Sequence, residues 1–424
     1  MNRIASFWNQ ARSAPRNIKY FMFTVLAYGI AVEGISAVLL NLYLLRLGYG
    51  TEFIGTLNSA GLLIFAIVSL PIGAVQRFTS RQMMVIGLIL SVVGNIGLPL
   101  APFMAVDPSF WLIAFRIIGM IGLSCYFVHQ MPFSMEITSP EWHNRIMSAT
   151  MATFSLAAFL GSWVGGLLPE YFSQLLATSI DDPWPFQVAM LISTALVIPA
   201  IFVSMAIAET PSVEEDEIGS PAAKTSTWQA IRPIMGLVVV IIIIRAIQTS
   251  GVGVVLTFSN VYFDDGLGVS TGRIGFISGF GRLIGVPLSL TIPWMMDRFG
   301  SYRFVYLGLG AIAVLMIPLA LIQYWPIAAV SLIAINSMSG WRYLSFLTFS
   351  MAQVSEKQRS LMSGAGEMAI GIGFSTASFV GGYLIAWFGY RELFLYGSAM
   401  TMLGMILFWV AFRKRAAVPA KAAA

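Results

Sequence analysis

The 424-residue chain has one cysteine, two histidines and few charges, with Asp, Glu, Lys and Arg together making only 10% of it. One cysteine, Cys125, excludes an intrachain disulfide and any multi-cysteine metal site. No Gly-x-x-x-x-Gly-Lys-Ser/Thr run occurs, which leaves ATP hydrolysis unsupported. No helix-borne His/Glu metal motif or nucleophile cluster is present either. The expectation is therefore a protein without enzymatic activity, cofactor or metal. The chain is rich instead in apolar residues, 58% of the total. Soluble domains carry roughly a quarter charged residues, so water is not the solvent for most of this one.

The apolar residues fall in blocks of about 20, the length that crosses a hydrocarbon core as a helix. A membrane barrel would instead alternate polar and apolar residues over short segments. Runs such as Leu237 to Ile244 are apolar on every face. The predicted spans are 19–45, 53–75, 83–102, 110–134, 146–168, 186–208, 233–258, 273–295, 304–323, 327–350, 361–386 and 393–411. The fold class is thus all-α and integral to the membrane, with a leader at 1–18, six helices at 19–208, a linker at 209–232, six helices at 233–411 and a tail at 412–424. The first apolar stretch is longer than a signal-peptide core and reads as a retained helix. The leader, with Ile4, Phe7 and Trp8 among Arg3 and Arg12, reads equally as a surface-lying segment or a disordered one. The linker, with Glu214-Glu215-Asp216-Glu217 and Pro221, reads as a solvated connection.

Of the 24 Lys and Arg, Arg46, Arg273 and Arg391 fall at one set of loops and Arg116, Arg245, Arg282 and Arg342 within spans, which leaves seventeen on the side of the termini. This asymmetry predicts cytoplasmic N- and C-termini in the plasma (inner) membrane, and explains the basic pI of 9.3 without nucleic acid.

The halves repeat each other. Asn41-Leu-Tyr43, Leu47-Gly48, Thr51 and Ile54-Gly55 match Asn260-Val-Tyr262, Leu267-Gly268, Thr271 and Ile274-Gly275. Gln76-Arg77-Phe78-Thr79-Ser80 matches Asp297-Arg298-Phe299-Gly300-Ser301, and Met147-Ser148 through Val164-Gly165-Gly166 matches Met362-Ser363 through Val380-Gly381-Gly382. Two such bundles can rock about a site at their interface.

These features resemble the major facilitator superfamily over residues 18–412. Asp297-Arg298-Phe299-Gly300, with Arg303, resembles the family's loop signature, and the first copy departs from it at Gln76 and Thr79. The resemblance implies two pseudo-symmetric six-helix bundles, alternating access, a small-molecule substrate, protons as a coupling partner and a monomer in the lipid bilayer. It also implies a cytoplasmic gate at Arg77, Arg81, Glu136, Arg145, Asp297, Arg298, Arg359 and Glu367, with Ala352 replacing the second-half acid. The alternative for these residues is ordinary interfacial charge.

Ionisable groups in hydrocarbon are costly and should face a cavity or a partner. Glu33, near the middle of span 1, and Arg245, near the middle of span 7, are expected to pair across the pseudo-twofold axis, with Glu33 the candidate proton carrier. Arg116 lies in Arg116-Ile-Ile-Gly119-Met-Ile-Gly122, which resembles a motif of proton-coupled members. Arg282 and Arg342 add positive charge suited to a carboxylate or phosphate. Tyr126, His129 and Gln130 share a helix face, as do Arg245 and Gln248, and both stripes are expected to line the cavity. Gly161-Ser162-Trp163-Val164-Gly165-Gly166 resembles the antiporter motif of drug exporters, with Ser162 where a Pro is usual. Three functions follow: proton-coupled transport of an organic anion, efflux of drugs or amphipaths, and a non-transporting receptor or assembly factor on the same fold.

Overall fold

A computed structural model describes residues 15–74, 77–104, 107–138, 143–207, 235–291, 295–296, 298, 300–354 and 358–413. The linker's acidic run, most of the leader, the tail beyond Arg413 and Asp297 lie outside the described residues. Among the described residues, twelve membrane-length helices occupy the twelve expected spans. They are α1 (Arg16–Arg46), α2 (Thr51–Ala74), α3 (Ser80–Leu100), α4 (Pro108–Glu136), α5 (His143–Leu175) and α6 (Trp184–Met205) in the first half. In the second half they are α7 (Met235–Gly266), α8 (Thr271–Leu290), α9 (Ser301–Leu321), α10 (Trp325–Met351), α11 (Arg359–Phe388) and α12 (Tyr390–Phe412).

Ten of the twelve are apolar enough by composition alone to count as candidate spans. The other two are α8, which carries Arg273 and Arg282, and α10, which carries Arg342. Helix α6 breaks between Ala195 and Ile198, one residue before Pro199, whose missing N–H cannot continue the ladder. Helix α1 is π-helical over Gly29–Ser36, and α7 ends in a π turn at Tyr262–Gly266. Departures from α to π geometry are frequent at functional sites.

Small residues let backbones approach within each half and between halves. A Cβ on Gly161 of α5 would sit 2.2 Å from the Ile30 carbonyl oxygen of α1, and one on Gly34 would sit 2.5 Å from the Gly161 Cα. Between the halves, a Cβ on Gly275 of α8 would lie 2.1 Å from the Ser162 carbonyl oxygen, and one on Gly166 would lie 3.1 Å from the Gly275 Cα. Seam α2 to α11 is built the same way, with a Cβ on Gly55 reaching 2.4 Å from the Ser378 carbonyl oxygen and 3.0 Å from the Gly382 Cα. These contacts are the small-residue packing that membrane helices use in place of a hydrophobic drive. They also give the repeated Gly-Gly of α5 and α11 a packing role.

Gly161→Ala is expected to destabilise the chain by about 1–3 kcal/mol, because its clash is with backbone. Gly236→Ala, whose Cβ would meet nothing within 4 Å, is the control and should be neutral. Thermal unfolding of both variants in detergent compares them.

Candidate functional site

The site begins with two repeat-related asparagines. Asn41 of α1 donates its side-chain N–H to the Thr257 carbonyl of α7 at 2.8 Å, and Asn260 of α7 donates to the Val38 carbonyl of α1 at 3.5 Å. Thr257 is the repeat equivalent of Val38, so the two bonds are related by the pseudo-twofold axis. Each amide oxygen then accepts from its own half: Asn41 from Asn58 Nδ2 at 2.8 Å, and Asn260 from Ser278 Oγ at 2.8 Å. Position 278 is the equivalent of 58, so this second layer is paired as well. Tyr43 and Tyr262 complete the set by donating to carbonyls near the ends of α3 and α9, at Pro99 and Leu319.

Beyond this clasp the halves close. Arg46, in the last turn of α1, makes a two-pronged pair with Asp264 in the π turn of α7, at 2.7 and 2.9 Å. Asp181 adds a 3.7 Å contact from its largely solvated side chain. Thr51 donates to the Gly382 carbonyl at 3.0 Å and Ser59 bonds Ser375 at 2.8 Å, tying α2 to α11. This end of the molecule, the Arg46 end, is shut.

On the other side of the clasp lies a cavity of about 360 Å³. Such a volume is at the small end of the range for organic ligands, roughly 300–1,000 Å³. Its polar wall holds Glu33, Arg116, Arg282 and the amides of Asn58 and Asn95, with Phe115 and Phe374 among its apolar residues. Arg282 NH1 reaches Glu33 twice, at 2.8 Å to its backbone oxygen and at 3.5 Å to its carboxylate. Arg116 donates NH2 to Asn58 Oδ1 at 3.2 Å, while its buried Nε has no protein partner. Two guanidinium groups and one carboxylate leave the wall with an excess positive charge.

The structure corrects the expected partner of Glu33. Its repeat equivalent in α7 is Val252, seven residues from Arg245, which is about 10 Å along a helix. Arg245 consequently packs against α10 and α11, and Arg282 of α8 takes its place. Arg342 also leaves the cavity: it is buried, with NH1 3.4 Å from Thr249 Oγ1. Gln248 is fully buried, facing Gly404 of α12. Neither Tyr126 nor His129 lines the cavity. Tyr126 stacks on Tyr28 at 4.2 Å and accepts from Gln130, so that stripe of α4 is spent on packing within the first half. His129 donates from Nδ1 to the Cys125 carbonyl of its own helix at 3.1 Å.

At the opposite end of the helices, Ser80 Oγ donates to the Glu136 carboxylate, and Arg81 donates to the Ile207 carbonyl at 2.7 Å. Glu367 accepts from the Tyr343 hydroxyl at 2.6 Å. Arg77 and Arg298 are exposed. Arg145 and Arg359 fall at the starts of α5 and α11, and their side chains lie outside what is described.

The family model described as Major Facilitator Superfamily matches residues 21–355. The chain belongs to this superfamily of membrane transporters. It is 22% identical over 270 residues to the multidrug resistance protein MdtG of Proteus mirabilis (strain HI4320), a match spanning 62% of this chain and 63% of that protein. Among solved structures, a bacterial homologue of the human lysosomal transporter Spinster, inward-facing and unoccupied, superposes with a TM-score of 0.74 at 15% identity, covering 95% of this chain and 98% of that one. A D-xylose–proton symporter gives 0.68 at 17% identity, with 93% and 96% covered. The fold is thus that of a multi-pass superfamily transporter.

Sequence reasoning missed the asparagine clasp and Asp264. The signal for the first was present: Asn41 and Asn260 open the matched stretches and are polar residues at equal depth in two spans.

Arg46→Gln is expected to loosen the closed end. A charge-assisted hydrogen bond contributes about 1.5–3 kcal/mol, and every 1.4 kcal/mol shifts the open-to-closed ratio about tenfold. In a Cys125→Ser background, a cysteine replacing Leu40, which lines the cavity and is 5% exposed, should react roughly tenfold faster with an impermeant thiol reagent applied at the Arg46 end once Arg46 is changed. An unchanged rate would mean that the glycine seams alone keep this end shut.

Proposed function

We propose that the chain is a secondary active transporter that carries a small organic anion through the Glu33–Arg116–Arg282 cavity by alternating access, coupled to protons. The observation that carries this reading is the pair of guanidinium groups, Arg116 and Arg282, lining one cavity with the single carboxylate of Glu33. An anionic group on the solute would offset the excess charge. Glu33 is the proton carrier in this scheme. While ionised it holds Arg282, and once protonated it loses the ionic part of that hold.

The clasp and the seams are the pivot on which the halves rock, and the Arg46 end is the gate shut in this conformation. The exposed charges at the other end, with Glu136, Arg145 and Arg359, form the opposing gate, to which the loop motif in the sequence adds Asp297. Lysine and arginine asymmetry supports cytoplasmic termini in the plasma (inner) membrane, and the family resemblance supports a monomer.

A second reading, export of drugs or other amphipaths, is favoured by the match to MdtG. Two aromatic rings and several aliphatic side chains on the cavity wall are compatible with it.

Purified protein in liposomes loaded with a pH-sensitive dye separates the two. Proton movement on adding organic anions, abolished by Glu33→Gln and strongly reduced by Arg116→Gln, is the expected result. Proton movement with lipophilic cations alone would overturn the anion reading in favour of export. Anion-driven flux that leaves proton movement intact in Glu33→Gln would remove Glu33 as the carrier.

A further inference from the structure

The second half buries positive charge that the transport cavity does not use. Arg245 is 1% exposed, and its Nε and NH1 have no hydrogen-bond partner. Arg342 is 6% exposed with Nε unpartnered, and Gln248 is 0% exposed with Nε2 unpartnered. All three lie in the α7–α10 region, since Arg245 and Gln248 share a face of α7 and Arg342 reaches Thr249 on the same helix. An arginine cannot shed its proton to escape burial. Two buried guanidinium groups therefore need acceptors and counter-charge.

The protein supplies only part of this. Arg245 Cζ lies over the Phe346 ring, 4.4 Å from its centre, and over the Tyr343 ring at 5.8 Å. The rings offer the cation a π face but leave Nε and NH1 without an acceptor. Glu367 lines the same small void as Arg245, yet its carboxylate is taken up by the Tyr343 hydroxyl and makes no ion pair with Arg245. Among the described residues, two guanidinium groups against one carboxylate leave one positive charge over. The void beside Arg245 measures about 10 Å³, and about 10–15 Å³ suffices for one water-sized occupant.

We propose that this void is a binding site for a single monatomic halide, chloride in ordinary salt, held by the unpartnered Arg245 guanidinium and by the positive field of Arg342. The surplus of one charge favours a monovalent ion, and the small void favours a monatomic one over carboxylate, phosphate or sulfate. Water would fill the space but would leave the surplus charge uncompensated. The site is separate from the Glu33 cavity, and it stands whether or not that cavity takes an anion.

The test is thermal unfolding of the full-length detergent-purified protein in sodium chloride, bromide, gluconate and sulfate at matched ionic strength. Chloride and bromide should raise the melting temperature along a saturating curve, whereas gluconate should not and sulfate, which stabilises by exclusion from the surface, should act without saturation. Glu367→Gln removes the competing negative charge and should lower the half-saturating halide concentration severalfold. Arg245→Gln should abolish the halide effect, and Arg342→Gln should weaken it. Equal stabilisation by gluconate, or a halide effect that survives Arg245→Gln, would overturn the proposal. Should Arg245→Gln fail to fold, anomalous scattering from crystals of the unaltered protein grown in bromide decides the matter: a peak beside Arg245 supports the site, and none there refutes it.

Discussion

Asn41 and Asn260 hold the two halves together at the axis that relates them. In hydrocarbon an amide left without partners costs several kcal/mol, so a polar side chain at this depth needs partners. Each asparagine has them on both sides: an N–H crosses to a backbone carbonyl of the other half, and its oxygen accepts from a neighbour in its own half. Because the acceptors are backbone, the bonds specify helix position and rotation but no particular side chain. The glycine seams follow from that placement. With α1 and α7 fixed against each other, α2 meets α11 and α5 meets α8 at backbone distance, and only glycine at 55, 166, 275 and 382 fits the contact.

The fold is symmetric about this clasp, whereas the charge is not. The cavity is lined mostly from the first half, with Arg282 the one charged side chain that the second half contributes. The arginines of α7 and α10 are turned inward and buried within their own half. One half thus presents a polar face to the cavity, while the other keeps its cations inside. Two copies of one fold have been put to different electrostatic uses, and a solute between them meets a wall that is not two-fold symmetric.

Much of this was legible in the sequence. Long apolar runs gave the twelve helices, and the offset repeats gave two related bundles, because lipid allows few other ways to satisfy the backbone. The charged side chains at cavity depth, Glu33, Arg116 and Arg282, were legible by the cost of burying them. Their partners were not. Depth along a helix is read directly from the sequence, but rotation about its axis is weakly encoded when every face is apolar. Arg245 illustrates the limit: its position near the middle of α7 suggested Glu33, and the repeat register, seven residues away, points to Val252 instead. The π segment of α1 was equally silent, since nothing in Gly29–Ser36 departs from the composition of an ordinary helix.

That π segment bears on how coupling works in the proposed mechanism. Arg282 holds Glu33 by its carboxylate and, more closely, by its backbone oxygen, at 3.5 and 2.8 Å. Protonation of Glu33 removes the ionic contact and leaves the backbone bond, so a proton alone does not free Arg282. A solute carboxylate offers what the backbone carbonyl cannot, a full charge and two acceptor oxygens. Release of Arg282 then requires both events, the proton on Glu33 and the anion on the guanidinium. A grip divided between side chain and backbone is therefore a physical reason for proton and solute to move together, since either one alone leaves α1 and α8 still joined.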